Sequence, residues 1–143
     1  MDIETQIRQI RIVGVITAGF GLLTALAAYP PLNGFIVFLA DLLVWPMDGA
    51  QTGTDSTARL LMAIGGGIFT AFGVMWMVCG DVFRAAPREM HRLLLVGTIV
   101  WFVTDSAASV LADAAMNVVG NVGFMLLLLW PLRKGPQLLK NGQ

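Results

Sequence analysis

The sequence predicts an all-α fold: a transmembrane four-helix bundle with a short interfacial or re-entrant helix between helices 1 and 2. Three observations predict it. Of 143 residues, 57% are hydrophobic and only 13% charged, against about 25% charged in a soluble domain. The apolar residues gather into stretches near the roughly 20 residues a helix needs to cross about 30 Å of hydrocarbon. The basic residues, finally, fall into groups that four spans would collect on one side. Mean hydropathy is +0.76. The chain is too short for two ordinary domains, so residues 1–143 are read as one integral membrane domain.

Backbone amides cannot bond to water inside a bilayer, which leaves helices or closed barrels as spanning structures. Helix 1 is expected over 10–28, ended by Pro30 and Pro31, since proline cannot continue the hydrogen-bond ladder. Arg8 and Arg11 before an apolar core, with Ala25-Leu26-Ala27 resembling a cleavage site, give this segment the look of a signal peptide. Its core is long for a signal h-region of about 7–15 residues, so it is read as a retained first span. A shorter stretch over 34–45 would rise only about 18 Å as a helix, too little to span. It contains Asp41, stops at Pro46, and is read as lying in the outer interface or dipping into it. The polar segment Met47 to Asp55 then serves as a loop. Helix 2 is expected over 56–79, capped by Asp55 or Ser56 and ended by Gly80-Asp81. Helix 3 follows over 91–112, and helix 4, the shortest, over 116–132.

Orientation comes from Lys and Arg. The nine basic residues balance nine acidic ones. Arg8 and Arg11 precede helix 1, Arg84, Arg88 and Arg92 lie between helices 2 and 3, and Arg133, Lys134 and Lys140 follow helix 4. Four spans put all of these on one face and leave Arg59 with Asp41, Asp48, Asp55 and Asp113 on the other. By the positive-inside rule both termini are cytoplasmic, with the bacterial inner membrane as the expected location. Helix association in lipid relies on small residues. The four-residue spacings Thr17-Gly21-Ala25 in helix 1 and Ala63-Gly67-Ala71 in helix 2 are expected to meet each other or a second protomer. Gly120 and Gly123 give helix 4 a thin side, and Trp45, Trp76 and Trp130 fall near expected interfaces, where tryptophan anchors.

Polar groups inside apolar helices carry what functional signal there is. A charge at the bilayer centre costs at least about 2.5–3.5 kcal/mol, so such groups turn inward and find partners. Asp105 lies some 10 Å below the expected outer end of helix 3, at about 1.5 Å per residue. Ser109 is one turn further out, with Thr104 and Ser106 beside it, and Asn117 and Asn121 share a face of helix 4. The expected site is an outer-leaflet polar cluster in which Arg59 and Asp105 pair, while Ser106, Ser109, Asn117 and Asn121 complete the hydrogen bonds. Trp101 would line the pocket, and Asp41 and Trp45, with Asp48 beyond, would form a lid. The cluster serves either to set helix register or to hold a ligand.

Other chemistry finds little support. One Cys, Cys79, and one His, His91, exclude a disulfide, a Cys-based zinc or iron–sulfur site and a bis-histidine haem within one chain. The outer acids lack a calcium-loop spacing and are read as solvated, so neither a metal nor a cofactor is expected. Arg84, Arg88 and Arg92 recur every four residues and would suit an anionic headgroup, but Pro87 is expected to break their face. No nucleophile triad or phosphate loop is present, and Cys79, without an activating neighbour, is read as inert. Phe72, Met75, Phe124 and the run Leu126–Leu129 argue against a pore within a monomer.

The stretch Trp101–Ser106 followed by Asn117 and Asn121 resembles a family of small four-helix bacterial membrane proteins of unknown function. In size, four-helix layout and the re-entrant stretch after helix 1, the chain also resembles the DoxX-like group. The resemblance implies a bacterial inner membrane and carries over no catalytic residue. The leading functional reading is non-enzymatic: a small membrane scaffold or accessory subunit packing against membrane lipids, a larger membrane complex or its own copies, with no nucleic acid. The alternative is a binding protein, transporter or enzyme for a small apolar or lipidic molecule, quinone-like, held in the outer-leaflet pocket. A cavity of roughly 300 Å³ or more with convergent polar groups separates the second reading from the first.

Overall fold

The computed structural model describes residues 2–135; Lys140 lies outside them. Regular structure among the described residues is entirely helical. It comprises α1 (Ile3–Leu26), α2 (Gly34–Leu43), α3 (Ser56–Val82), α4 (Pro87–Leu111) and α5 (Met116–Leu129), with 3-10 turns at Pro30–Leu32 and Trp130–Leu132. Three helices, α1, α3 and α4, are long and apolar enough to cross a membrane, at 24, 27 and 25 residues. The stretch expected as a fourth span over 116–132 divides into the 14-residue α5 and a tightened turn, because Pro131 has no N–H to continue the ladder. The 10-residue α2 is the short helix expected after helix 1.

Helix ends follow from local chemistry. α1 starts earlier than the expected residue 10 because the Asp2 carboxylate accepts from Thr5 N at 2.8 Å and from Thr5 Oγ1 at 2.9 Å. That cap draws the polar segment Ile3–Gln9 into the helix. Asp55 caps α3 by accepting from Ala58 N at 2.9 Å. Gly80-Asp81 does not end α3: Ile10 and Arg11 of α1 cover Gly80, and Asp81 pairs with Arg11 at 2.6 Å, so the helix runs on to Val82. Pro87 opens α4, since the first turn of a helix needs no N–H donor, and leaves Arg84 in the turn before it, off the helix that carries Arg88 and Arg92. α4 stops at a left-handed Asp113 (φ 57°). Ala114 N there bonds to Ser109 O at 2.9 Å and Asp113 N to Val110 O at 3.2 Å, a Schellman closure that reverses the chain into α5.

The α1–α3 pair forms the most extensive helix contact. Its seam is made by Gly14, Ala18, Gly21 and Ala25 of α1 against Gly66, Thr70 and Gly73 of α3. A Cβ on Gly14 would lie 2.7 Å from Gly73 O, and one on Gly66 or Gly73 would fall onto the α1 backbone. The expected stripe on α3 is therefore rotated: Ala63, Gly67 and Ala71 are exposed, while Gly66 and Gly73 are buried. Adjacent residues of a helix differ by about 100° in direction, so a choice one residue off within Gly65–Gly67 selects another face. On α1, Thr17 and Gly21 are buried as expected and Ala25 packs on Gly66. Of the thin side expected on α5, Gly120 packs beneath Leu43 of α2, whereas Gly123 faces open space.

The densest core lies at the end holding the start of α1 and the close of α3, where Ile7, Ile10, Val13, Trp76, Cys79, Phe83, Leu94, Leu128 and Leu132 cluster. Trp76 is wholly buried there, not at an interface as expected, because its face of α3 meets the rest of this core. The fully buried Gln6 donates to Pro131 O at 3.0 Å and Lys134 O at 3.2 Å, and His91 Nε2 meets Leu132 O at 3.0 Å. A carbonyl only accepts, so His91 carries a proton on Nε2. These side chains satisfy carbonyls that the end of a helical segment leaves without partners. Arg84 pairs with Glu4 beside the Arg11–Asp81 pair, again joining α1 to the end of α3. Toward the middle, an edge-packed aromatic group takes one ring from each of four helices: Phe20 (α1), Phe69 (α3), Trp101 (α4) and Phe124 (α5), at centroid distances of 5.4–6.2 Å. Most of the apolar surface nevertheless faces outward. Only 33% of the apolar stretch of α1, and 17% of those in α3 and α4, is buried.

Candidate functional site

The turn at Asp113 sets α4 and α5 antiparallel and aligns their polar residues rung by rung. Asn117 Nδ2 donates to Ser109 Oγ at 2.8 Å, and Asn121 Nδ2 donates to Ser106 Oγ at 3.2 Å. Ser109 and Asn121 are buried, and Asn117 and Ser106 half-buried. The four residues expected to share a polar strip do so, and they satisfy one another between two helices. Ser109 Oγ also lies 3.5 Å from Asp105 Oδ1, at the outer limit for a hydrogen bond.

Asp105 itself borders a groove on the other side of α4. Between α3 and α4 the surface opens into a cavity of about 450 Å³. Ile68, Phe69 and Phe72 of α3 form one wall; Gly97, Val100 and Trp101 of α4 form the other, and Thr104 and Asp105 supply its polar end. The gap has a local cause. Gly97 has no side chain, and a Cβ there would meet nothing within 4 Å. Phe69 of one wall and Trp101 of the other pack edge to face at 6.1 Å and are backed by Phe124, so the two walls meet in stiff rings with few rotamers to collapse inward. Trp101 thus lines a cavity, as its position predicts.

Arg59 takes no part. Its Nε donates to Ala28 O at 2.8 Å, satisfying a carbonyl just past the end of α1. The expected Arg59–Asp105 pair is therefore not formed, and among the described residues the ion pairs are Arg11–Asp81 and Arg84–Glu4. The use of Arg84 by Glu4 also takes it away from Arg88 and Arg92. The expected lid is likewise elsewhere. α2 packs on α5, Trp45 is 62% exposed and outside the groove, and Asp41 accepts from Gly49 N at 3.0 Å, holding its own loop. Asp48 accepts from Ala50 N in the same loop. No three His, Cys, Asp or Glu side chains among the described residues converge on a common point.

Sequence reasoning located Trp101 and Asp105 but missed the α3 wall and Gly97. The available signal was Phe69 and Phe72, three residues apart on one helix face, opposite a lone glycine in an otherwise bulky helix. No family model, curated protein or solved structure matches this chain.

Proposed function

We propose that this chain is a multi-pass protein of a bacterial inner membrane that binds a small apolar or lipidic molecule in the α3/α4 groove. The observation that carries this reading is the 450 Å³ groove, walled by Phe69, Phe72 and Trp101 with Ile68, Gly97 and Val100, and bordered at one end by Thr104 and Asp105. Its size falls within the roughly 300–1,000 Å³ of small-molecule sites, which are mostly apolar with a few placed polar groups.

The membrane setting is supported by the outward apolar surface. Side chains such as Ile16, Leu23, Leu61, Ile68, Val100 and Val103 are 46–63% exposed along the long helices, far more than a soluble monomer leaves to water. In this reading α1, α3 and α4 cross the bilayer and α5 completes a four-helix bundle, its length made up by the turn after it. Both chain ends, with Arg8, Arg11, Arg84, Arg88 and Arg92, then lie on the cytoplasmic side by the positive-inside rule.

A second reading, an accessory subunit or homo-oligomer, is favoured by the exposed Ala63, Gly67 and Ala71 on α3, a small-residue face of the kind that lets helices approach closely in lipid. Native mass spectrometry of the protein purified in mild detergent tests both readings. One small apolar molecule retained per chain supports the groove. A stoichiometric partner protein, or a second copy, with the groove empty, supports the accessory role and counts against the first reading.

A further inference from the structure

Two arginines at the end that holds the start of α1 are engaged by acids. Arg11 pairs with Asp81 and Arg84 with Glu4, along the α1–α3 contact. At the same end, Arg88 and Arg92 of α4 and Arg133 and Lys134 after α5 are exposed and form no ion pair among the described residues. Glu89 is the one acid in these two stretches, so positive charge is in surplus there.

Local contacts gather these cations on one seam. His91 Nε2 donates to Leu132 O at 3.0 Å, which sets the first turns of α4 beside the turn that closes α5. Arg133 follows Leu132 directly and stacks on the Trp130 ring, 5.8 Å from its centroid. Arg88 precedes Ser106 by 18 residues, or five turns at about 3.6 residues each. It therefore shares the face of α4 that Ser106 turns toward Asn121 of α5, and Arg92, one turn on, lies on the same flank. Beyond Arg92 that flank is apolar: Val96, Ile99 and Val103 follow at steps of four, three and four residues and are 48–59% exposed. Basic side chains thus head an apolar strip of about 16 Å, at ~1.5 Å per residue.

Resting on the bilayer part of the proposed function and not on its groove, we propose that the α4–α5 seam at this end binds an anionic diacyl phospholipid. Arg88, Arg92 and Arg133 take the head phosphate, whose oxygens the planar guanidinium fork matches with paired hydrogen bonds. One acyl chain lies along Val96, Ile99 and Val103. A zwitterionic head brings its own ammonium into a patch already rich in positive charge, so charge alone separates the two lipid classes.

Native mass spectrometry of the full chain in detergent, titrated with dioleoyl phosphatidylglycerol and dioleoyl phosphatidylcholine, tests this. The expected result is one phosphatidylglycerol per chain, bound roughly tenfold more tightly than phosphatidylcholine, as one or two added charge contacts provide. Combining Arg88→Gln with Arg92→Gln brings the two lipids to equal affinity. Arg8→Gln leaves the preference as in wild type, since Arg8 lies about 200° round α1 from Gln6, the residue that meets Lys134 O. Equal affinity for both lipids in wild type overturns the inference, and so does a preference that survives the double substitution. A loss with Arg8→Gln as large as with Arg92→Gln overturns it too, because total charge is then the cause. Displacement of the lipid by an equal concentration of glycerol 3-phosphate overturns a lipid as the occupant. The single variants Arg92→Gln and Arg8→Gln decide side by side where the double variant does not fold. Flotation with phosphatidylcholine vesicles after an alkaline wash tests the bilayer reading separately. A chain that floats without any lipid preference keeps that reading and overturns this one, whereas a chain washed off the vesicles overturns both.

Discussion

Gly66 of α3 sits against the backbone of Ala25 in α1, with no space between them for a single added carbon. Its neighbours Gly65 and Gly67 face open surroundings. Gly66→Ala is expected to destabilise the protein by about 1–3 kcal/mol through overpacking. Gly67→Ala should be neutral or stabilising by up to about 1 kcal/mol from helix propensity. Thermal unfolding of the two variants side by side checks this, and equal effects would contradict the seam.

Asp113 adopts a left-handed backbone (φ 57°) at the end of α4. Glycine enters this region without the Cβ clash that costs other residues about 1–2 kcal/mol. Asp113→Gly should therefore raise stability by up to about 1 kcal/mol, and Asp113→Val should lower it by at least as much. Chemical denaturation midpoints measure both.

Gln6 is 1% exposed and its amide serves two carbonyls near the close of the helical chain. Gln6→Leu keeps the bulk but leaves those carbonyls without their donor. The expected loss is about 1–3 kcal/mol, the cost of a buried unsatisfied group. Protease cleavage after Leu132 should accelerate in the same variant, which a purely volumetric effect would not produce.

Asn121→Leu removes the donor to Ser106 Oγ, and Asn117→Leu removes the donor to Ser109 Oγ. In the bilayer setting proposed for this chain, hydrogen bonds between helices average about 0.6 kcal/mol by double-mutant cycles. Each cycle with the matching Ser→Ala change should yield a coupling of that size, and crossed pairs (Asn117 with Ser106) should yield none.

The Asp2 carboxyl is held below the usual carboxylate range, first by the Thr5 backbone N–H and then by the Thr5 hydroxyl. Because the folded value is the lower one, the cap is fully present above the ordinary carboxylate pKa and is lost as pH falls through the depressed value. The Thr5 amide resonance, followed by NMR on lowering the pH, should shift as the Asp2 carboxyl titrates in that window, and Asp2→Asn should remove the dependence.

Much of the helical plan was legible because apolar runs, caps such as Asp55 and prolines act locally; the Asp2 cap, which lengthens α1 toward its start, was not read. The all-helical class, the short helix after α1 and the shared strip of Ser106, Ser109, Asn117 and Asn121 follow from spacing on single helices. What failed depended on rotation or on distance. The packing face of α3 was misplaced because Gly65, Gly66 and Gly67 offer three faces, and the informative signal was the seven-residue repeat Gly14–Gly21 opposite Gly66–Gly73. Arg59 was expected on Asp105 because opposite charges at one level suggest a pair, yet a nearby carbonyl of Ala28 needed a donor as well. The α3 wall of the groove was missed since no local pattern announces where two helices part.

The contact of Gln6 with Pro131 spans 125 positions of sequence. A nascent chain leaving the ribosome at about 5–20 residues per second therefore carries that amide for several seconds before its acceptor exists. The amino-terminal helix cannot reach its final solvation until the turn at Trp130–Leu132 has been made, so termination anywhere before that turn should yield a product with an unsatisfied buried amide, however many of its helices have already formed.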